Sequence, residues 1–262
     1  MRHHLLLGTL AAALLATTAC TSGSGDAATA GGDELALVNA GSLTVCTNPP
    51  YEPFEFEDDN GDVVGLDIDL AQEVADDLGV ELRTVVTPFD SIQSGASLNT
   101  DACDLVASGL TITDERAEKF DFSAPYFDAD QGLLVAEDSG LDDVESLAGA
   151  KVAVQMATTG ETWAQEQDLT TVQFEDLGLQ VQALRTGQVD AVINDIAVLG
   201  PFVAQGFEVA TTFPTGEQYG LGVRQGNAAL LDAVNATLAR IAQDGTYDAI
   251  YTTRIGTAPA AD

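Results

Sequence analysis

The sequence predicts an α/β fold made of two lobes. Short apolar segments with the pattern of strands alternate with amphipathic segments of about ten to fifteen residues with the pattern of helices. This alternation is typical of parallel-type sheets flanked by helices. About ten strands are predicted, which is many for one compact sheet, so two lobes with a cleft between them fit the chain better.

The clearest single element is a predicted amphipathic helix. Leu66, Leu70, Val74 and Leu78 recur every four residues, and Gly79 follows as a typical helix end. The other predicted helices include DSIQSGASLN, TTGETWAQ, EDLGLQVQALRTG and residues 227–244, and the predicted strands include LTVCT, VELRTVV, DLVASG, KVAVQ, TTVQF and VDAVIND.

Composition excludes several classes of partner. The chain has 262 residues, of which 45% are hydrophobic, as expected for a globular protein. It carries 42 acidic residues against 9 lysines and arginines, a net charge of −33. No basic stripe is available to neutralise phosphates, so nucleic acid and anionic membrane surfaces are disfavoured as partners.

The N-terminus has the pattern of an export signal. MRHH is a short cationic start, and LLLGTLAAALLA is an apolar run too short to cross a bilayer comfortably. The segment ending Thr18-Ala19-Cys20 resembles a bacterial lipoprotein signal, with residues 1–19 removed and Cys20 lipidated, although Thr17 stands where leucine is commonest. Ordinary secretion is the alternative. Residues 20–40, rich in glycine and small polar residues at their start, form a predicted flexible tether.

The three cysteines are consistent with this assignment. An odd number of cysteines in an exported protein leaves one thiol over. If Cys20 carries lipid, Cys46 and Cys103 remain as a pair in an oxidising compartment, and each lies in or beside a predicted strand. We expect a disulfide between them; two buried free thiols are the alternative.

The sequence offers few of the residues and motifs that are typical of catalytic sites. The only histidines, His3 and His4, fall within the signal segment. The chain has neither a phosphate-binding glycine loop followed by lysine nor a nucleophile elbow. No catalytic residue, metal site or cofactor is predicted.

Loops at predicted strand ends instead offer groups that suit a zwitterion. In open parallel sheets, ligands gather beyond the carboxyl ends of the strands. After DLVA come Ser108, Gly109 and Thr111, and Thr113 is placed to cap a short helix that carries Arg116. Arg116 could hold an anionic group of a ligand, and the alternative is that it forms an ordinary ion pair on the surface.

Two further loops supply the rest of the expected site. After VAVQ, Thr158 and Glu161 form a capping box, and a helix N-terminus attracts a carboxylate. After VDAVIN comes Asp195, which would suit an ammonium group. Taken alone, Thr158 with Glu161 and Asp195 are each also explained as simple helix caps. One fixed cation and one fixed anion match a free amino acid. Tyr51 and Phe89 could wall such a pocket or belong to the core.

Several motifs resemble one known family in its order along the chain. They are PPYEPFEFEDDNGDVVGLDIDLAQEVADDLG, DLVASGLTITDERAEKFDFSAPYF, VAVQMATTGET, VDAVINDIAVL, QYGLGVRQGN and DGTYDAIY. From about Leu43 to Arg254 the chain is similar to the extracytoplasmic solute-binding proteins of family 3, the polar amino-acid-binding proteins of bacterial ABC importers.

The resemblance implies a type II periplasmic-binding-protein-like fold in which two crossing hinge strands join two lobes that close on the ligand. The first lobe would comprise residues 41–128 and 219–256, and the second residues 133–213. The hinges would lie at about 129–132 and 214–218.

The resemblance also implies roles for single residues. Arg116 would bind the ligand's α-carboxylate with Thr111 and Thr159, and Asp195 its α-ammonium with Ser108 and Gly109. The ligand's side chain would meet Tyr51, Phe89, Asn48, Gln155, Thr158 and Gly160. Amino acids with basic side chains are less favoured as ligands, because relatives that bind them tend to carry aspartate at the position of Asn48. Glutamine and acidic amino acids remain candidates.

The implied function is a lipid-anchored, extracytoplasmic receptor that delivers an amino acid to the transmembrane subunits of an ABC permease. A monomer is the simplest expectation. A sensory module that reports its ligand to a signalling partner and a dehydratase-like enzyme on the same scaffold are the alternatives.

Overall fold

Strands and helices alternate along most of the chain, as predicted. The computed structural model describes residues 35–203 and 205–256. The strands are β1 (Ser42–Thr47), β2 (Phe56–Glu57), β3 (Val63–Val64), β4 (Glu81–Val86), β5 (Leu105–Val106), β6 (Phe120–Phe122), β7 (Phe127–Ala136), β8 (Lys151–Gln155), β9 (Thr170–Phe174), β10 (Ala191–Asp195), β11 (Phe207–Tyr219) and β12 (Gly222–Arg224). The helices are α1 (Leu66–Leu78), α2 (Phe89–Gln93), α3 (Ala96–Asn99), α4 (Asp114–Ala117), α5 (Thr159–Glu166), α6 (Leu177–Arg185), α7 (Ile196–Val203), α8 (Ala228–Asp244) and α9 (Thr246–Arg254).

The N-terminal predictions fall partly outside the described residues. The signal peptide, Cys20 and the tether up to residue 34 lie there. The end of the predicted tether, residues 35–40, contacts the folded body: Leu35 and Leu37 pack on the core, and the Val38 N–H donates to Asp104 Oδ1 at 2.6 Å.

The first sheet has the strand order β4-β1-β5-β12-β6. β1 runs parallel to β4 and β5, whereas β12 runs antiparallel to β5 and β6. β12 enters the sheet directly after β11 and not through a helical crossover, which is the connection that parallel strands need. The sheet is therefore mixed, a detail that the alternation of strands and helices does not predict.

The second sheet has the order β11-β7-β10-β8-β9. β8 is parallel to β9 and β10, and the long strand β7 is antiparallel to β10 and β11. β7 and β11 pair along most of their length, with a register shift between Phe213 and Glu217. The predicted hinge segments lie within these two strands. Two sheets linked by two long strands confirm the predicted two-lobed α/β fold, and the exact lobe limits stay predictions.

Helix α1 shows how the sequence builds the core of the first lobe. Leu66, Leu70 and Val74 are fully buried, and the helix ends at Gly79, which adopts the left-handed conformation with φ 68°. This confirms the predicted helix. Burying each such side chain contributes about 1.5–3 kcal/mol relative to leaving it exposed.

Cys46 and Cys103 form a disulfide, as expected, with their Cα atoms 5.7 Å apart. Cys46 lies on β1, and Cys103 lies just before the adjacent parallel strand β5. The bridge therefore ties together the two strands whose carboxyl ends carry Asn48 and Ser108.

Candidate functional site

The carboxyl ends of β1, β5, β8 and β10 surround a narrow cavity between the two sheets. Its volume is about 20 Å³, and hydrogen bonds cross it, such as that from the Tyr51 hydroxyl to Asn194 Oδ1 at 2.8 Å. All twelve residues expected to contact the ligand line it. The full lining is Asn48, Tyr51, Glu55, Phe89, Ser108, Gly109, Thr111, Arg116, Gln131, Gln155, Thr158, Thr159, Gly160, Asn194 and Asp195.

Arg116 is buried at this cavity, not exposed on the surface. Helix α4 positions it: Thr113 is the predicted N-cap, and its hydroxyl accepts the Arg116 N–H at 3.2 Å. The guanidinium donates to the carbonyl of Thr111 at 2.8 Å and to that of Ala157 at 3.2 Å. It also lies 5.4 Å from the centre of the Phe89 ring, within the range of a cation–π contact.

The charge of Arg116 has no close partner among residues 35–203 and 205–256: none of the ion pairs within 4.0 Å includes it. Burial lowers the pKa of its guanidinium to about 10, and the nearby Asp195 and Glu217 oppose that shift. The group is therefore charged at neutral pH. A buried cation is costly unless it is paired, and a carboxylate can pair with arginine through two parallel hydrogen bonds.

The N-terminus of α5 lies opposite Arg116. Thr158 is its N-cap, and the Thr158 hydroxyl accepts the Glu161 N–H at 3.1 Å, as predicted. The returning bond differs from a standard capping box, because Glu161 Oε2 accepts from the N–H of Ala157 at 2.7 Å, one residue before the cap. Thr159 and Gly160 both line the cavity. The first N–H groups of a helix have no partner within it, so this end suits an anion.

Asp195 provides the opposite charge at the end of β10. Its carboxylate is buried and accepts hydrogen bonds from the hydroxyl of Tyr51 at 2.6 Å, from the hydroxyl of Tyr219 and from Nε2 of Gln131. Burial raises the pKa of Asp195, and these donors oppose the shift. Among the described residues, the side chain of Asp195 accepts hydrogen bonds from other side chains and not from the backbone of α7. These bonds do not support the alternative role of Asp195 as a helix cap.

Tyr51 and Phe89 form the aromatic walls of the cavity, both about nine-tenths buried. Tyr51 comes close because residue 109 is glycine: a Cβ there would lie 2.7 Å from Cε1 of the Tyr51 ring. Gly109 also has a φ of 46°, in the left-handed region that glycine adopts most easily. The Tyr51 hydroxyl reaches across the cavity to Asn194 Oδ1 at 2.8 Å.

A chain of hydrogen bonds forms the wall around Asn48. The Asn48 amide donates to the carbonyl of Thr87 at 3.0 Å, and its Oδ1 accepts from Nε2 of Gln155 at 3.1 Å. The Asn48 backbone N–H donates to Ser108 Oγ at 3.1 Å, and that hydroxyl donates to Glu55 Oε1 at 2.7 Å. Asn48 and Glu55 are therefore neighbours through Ser108.

Comparison with known proteins identifies the family. Residues 43–257 match the model of the bacterial extracellular solute-binding proteins, family 3. The chain belongs to this family. The resemblance found in the sequence is confirmed, and it includes the type II periplasmic-binding-protein-like fold.

Three relatives illustrate the range of the family. A probable histidine-binding protein of Neisseria gonorrhoeae is 33% identical over 256 residues, covering 92% of this chain and 91% of the relative. An ancestral arginine-binding protein, solved with glutamine and with arginine, is 39% identical with a TM-score of 0.77, covering 82% of this chain and 98–99% of that protein. An ancestral amino-acid-binding protein described as a precursor of cyclohexadienyl dehydratase is 38% identical with a TM-score of 0.78, covering 82% and 96%.

Three residues that line the cavity were not expected from the sequence: Glu55, Gln131 and Asn194. Glu55 belongs to the acidic segment FEFEDDN, where one carboxylate cannot be told from its solvated neighbours. Gln131 lies in a predicted hinge. Asn194 comes directly before Asp195, which was the only residue of that strand end expected to contact the ligand. Gln131 and Asn194 lie on the paired strands β7 and β10 of the second sheet, and the closeness of the two sheets in space brings Glu55 to them.

Glu55 and Asp67 form a buried pair of carboxyl groups next to the cavity. Both side chains are almost fully buried. Asp67 accepts from the N–H of Gly109 at 2.8 Å and from the hydroxyl of Tyr126 at 2.7 Å. Burial raises the pKa of Asp67 to about 7, and burial together with Asp67 raises the pKa of Glu55 well above its ordinary value.

The described parts of the chain contain neither a metal-binding cluster of three or more His, Cys, Asp or Glu residues nor a helix long and apolar enough to span a membrane.

Proposed function

We propose that this protein is an extracytoplasmic receptor that captures a free polar amino acid between its two lobes. The observation that carries the proposal is the pair of opposite charges in one buried cavity. Arg116 has no close anionic partner among the described residues, and Asp195 presents a carboxylate from the other sheet. A zwitterionic α-amino acid neutralises both.

In this proposal the ligand's α-carboxylate binds the Arg116 guanidinium, the N-terminus of α5 at Thr159 and the backbone at Thr111. The α-ammonium binds Asp195 with Ser108 and Gly109. Asp195 already accepts from donors that an ammonium group can replace or join. Such charge-assisted hydrogen bonds are about twice as strong as neutral ones.

The ligand's side chain lies against the remaining wall of the cavity. Rings from both ends of this wall would enclose its aliphatic part, and amide and hydroxyl groups would meet its polar end. The residues proposed for this contact are Tyr51, Phe89, Asn48, Gln155, Thr158 and Gly160.

Entry of a ligand requires the lobes to separate. Residues from both sheets enclose the cavity, and the long strands β7 and β11 connect the two sheets. Closure of two lobes around a bound ligand is a known type of hinge motion. We propose that the segments at about 129–132 and 214–218 are the hinges and that the lobes are residues 41–128 with 219–256 and residues 133–213.

Family membership supports delivery of the captured amino acid to the transmembrane subunits of an ABC permease. We further propose that Cys20 carries lipid and that residues 20–34 tether the receptor, as a monomer, to the outer face of the cell membrane. No chemical turnover is part of the proposal.

A binding screen with a matched pair of variants tests this function. The chain from Cys20 onward, with Cys20 replaced by serine, is heated with each free amino acid, since a ligand that binds only the folded state raises the melting temperature. We expect at least one amino acid to raise it in the unaltered site and none to do so in Arg116→Ala. Lys119→Ala is the control, because Lys119 is a nearby cation already paired with Glu115 at 2.7 Å. The proposal fails if no amino acid shifts the melting temperature, or if Arg116→Ala binds as tightly as the control.

A further inference from the structure

We propose that Gln131, on the long strand β7, is a positioning residue of the amino-acid site, and that Gly160 leaves the space for its side chain. The Gln131 amide holds the Asp195 carboxylate in the orientation that receives the ligand's α-ammonium. This inference rests on the proposed function, because it concerns the same cavity. It adds a residue that has no role in that proposal and gives Gly160 a role other than contact with the ligand.

The Gln131 amide connects two carboxylates. The side chain is fully buried and lines the cavity. Its Nε2 donates to Oδ1 of Asp195 and, at 3.0 Å, to Oε2 of Glu217, so both hydrogens of the amide are used. Gln131 and Asp195 are also direct partners in the antiparallel pairing of β7 with β10. Directly opposite residues of paired strands lie on the same face of the sheet, so the backbone itself brings these two side chains together.

The bonds to Asp195 leave one of its oxygens ready for a cation. The hydroxyls of Tyr51 and Tyr219 both donate to Oδ2, whereas Gln131 is the single donor to Oδ1 among the residues that the structure describes. Each oxygen of a carboxylate can accept about two hydrogen bonds. Oδ1 can therefore accept from the ligand's ammonium group while Gln131 stays bound and keeps the carboxylate from turning.

Gly160 provides an independent observation on the same amide. A Cβ at residue 160 would lie 2.6 Å from Oε1 of Gln131, too close for the two atoms to coexist without a shift. Gly160 belongs to the first turn of α5, although glycine is a weak helix former. The space that glycine leaves for the Gln131 amide explains its presence there.

The second acceptor extends the contact to the other charged end of the ligand. Glu217 lies on β11, and its Oε2 also accepts from the hydroxyl of Thr159 at 3.2 Å. Thr159 is the first residue of α5, whose N-terminus is proposed to bind the α-carboxylate. One amide in a predicted hinge segment, residues 129–132, is thus linked to the groups proposed for both ends of the amino acid.

Removing the amide tests this role. Gln131→Met keeps the length of the side chain without the donor, and the probe is the free amino acid, among the twenty found in proteins, that raises the melting temperature of the unaltered protein most. We expect calorimetric titration at pH 7 to show roughly 10-fold weaker binding of this probe, as for loss of a hydrogen bond to a charged group. Gln72→Met is the control and should bind the probe as before. The Gln72 amide also donates to a carboxylate, that of Asp76 at 2.7 Å, but on the exposed surface of α1.

The pH dependence of binding separates positioning from packing. The titratable and charged groups that face the Asp195 carboxyl, besides the Gln131 amide, are Tyr51, Tyr219, Arg116, Glu55 and Glu217. Burial raises the pKa of Asp195, and the Gln131 amide opposes that shift. Without the amide, Asp195 takes up its proton at a higher pH, so the affinity for the probe should begin to fall at a higher pH than in the protein that keeps Gln131. Both proteins carry Glu217→Gln in this comparison, because the amide also opposes the rise that burial and Asp195 cause in the pKa of Glu217.

Gly160→Ala tests the same role with the amide still present. The added methyl group displaces the amide, so we expect weaker binding of the probe and a shift of the pH dependence in the same direction as in Gln131→Met. If Gly160 contacts only the ligand's side chain, its substitution weakens binding without that shift.

Three outcomes would overturn the inference while leaving the receptor function in place. Gln131→Met could bind the probe as tightly as the unaltered protein. It could also bind the probe more weakly with an unchanged pH dependence, which would leave Gln131 a structural role alone. Gly160→Ala could leave the pH dependence unchanged, which would separate Gly160 from the amide. Absence of binding by every amino acid to the unaltered protein would instead contradict the proposed function itself.

Discussion

At the scale of single residues, Asp67 shows how burial changes a carboxyl group. It is fully buried, and burial raises its pKa from 3.8 to about 7. The folded protein therefore holds a proton on Asp67 between these values that the unfolded chain releases. This contribution to stability is complete below about pH 3.8 and is lost as the pH rises to about 7.

We expect the free energy of unfolding of the unaltered protein to fall relative to that of Asp67→Asn between pH 4 and pH 7, with a slope of up to about 1.4 kcal/mol per pH unit. Asparagine keeps an acceptor at this position but cannot titrate. Urea denaturation at several pH values measures the difference, with Glu55→Gln present in both proteins, because burial and Asp67 raise the pKa of Glu55 and the contribution of Glu55 would otherwise differ between them. A difference that stays constant across this range would show that Asp67 does not titrate there.

Residues of the candidate site could be predicted from the sequence where the pattern of apolar residues marks the end of a strand. Arg116, Asp195 and Thr158 could be found because each lies at or after the end of an apolar strand segment, and such ends meet at one edge of a parallel sheet. Glu55 could not be found in this way. Its neighbours in sequence are solvated acids, and its burial arises from contacts with residues more than fifty positions away, such as Ser108.

At the scale of elements, the N-terminus of α5 depends on its cap. Thr158 accepts the N–H of Glu161 at 3.1 Å and donates to the carbonyl of Gln155 at 2.7 Å. We expect Thr158→Ala to lower the free energy of unfolding by about 1 kcal/mol, the usual cost of losing such a cap. It should also weaken binding of the amino acid, because the same cap positions the N–H groups proposed to bind its α-carboxylate.

Thr162→Ala is the control for this prediction. Thr162 belongs to the same helix but is exposed, and its hydroxyl bonds only to the carbonyl of Thr158, at 3.3 Å. Chemical denaturation and calorimetric titration of both variants separate the cap from the loss of any threonine. Equal effects of the two substitutions would contradict a special role for Thr158.

The predicted elements differ from the structure where local backbone geometry intervenes. DSIQSGASLN was expected to be one helix, but it forms two short ones, α2 and α3, separated at Gly95. Gly95 adopts a φ of 74°, which no right-handed helix contains, and Phe120 and Lys119 lie against it. The amphipathic pattern continues through the break, so it could not reveal where the chain turns. Whether neighbouring strands run parallel or antiparallel could not be predicted either, because the apolar pattern of a strand is the same in both directions.

At the scale of the whole molecule, polar contacts hold the two sheets together around the cavity. Tyr51 and Asn48 on the side of the first sheet bond to Asn194, Asp195 and Gln155 of the second. All of these residues except Asn194 are proposed to contact the ligand. A bound amino acid would therefore replace some contacts between the lobes with contacts of its own, so the stability of the closed form and the affinity for ligand are linked.

Tyr51→Phe tests this link without removing the aromatic wall. The substitution deletes the hydroxyl that bonds to Asn194 at 2.8 Å and to Asp195 at 2.6 Å, at a cost to the closed form of about 1 kcal/mol or more. We expect the ligand-free variant to have a larger radius of gyration in small-angle X-ray scattering than the unaltered protein. Tyr126→Phe is the control, because the Tyr126 hydroxyl bonds to Asp67 and both residues lie in the predicted first lobe. If Tyr51→Phe and the control scatter alike, the Tyr51 hydroxyl does not hold the lobes together, and closure must depend on other contacts.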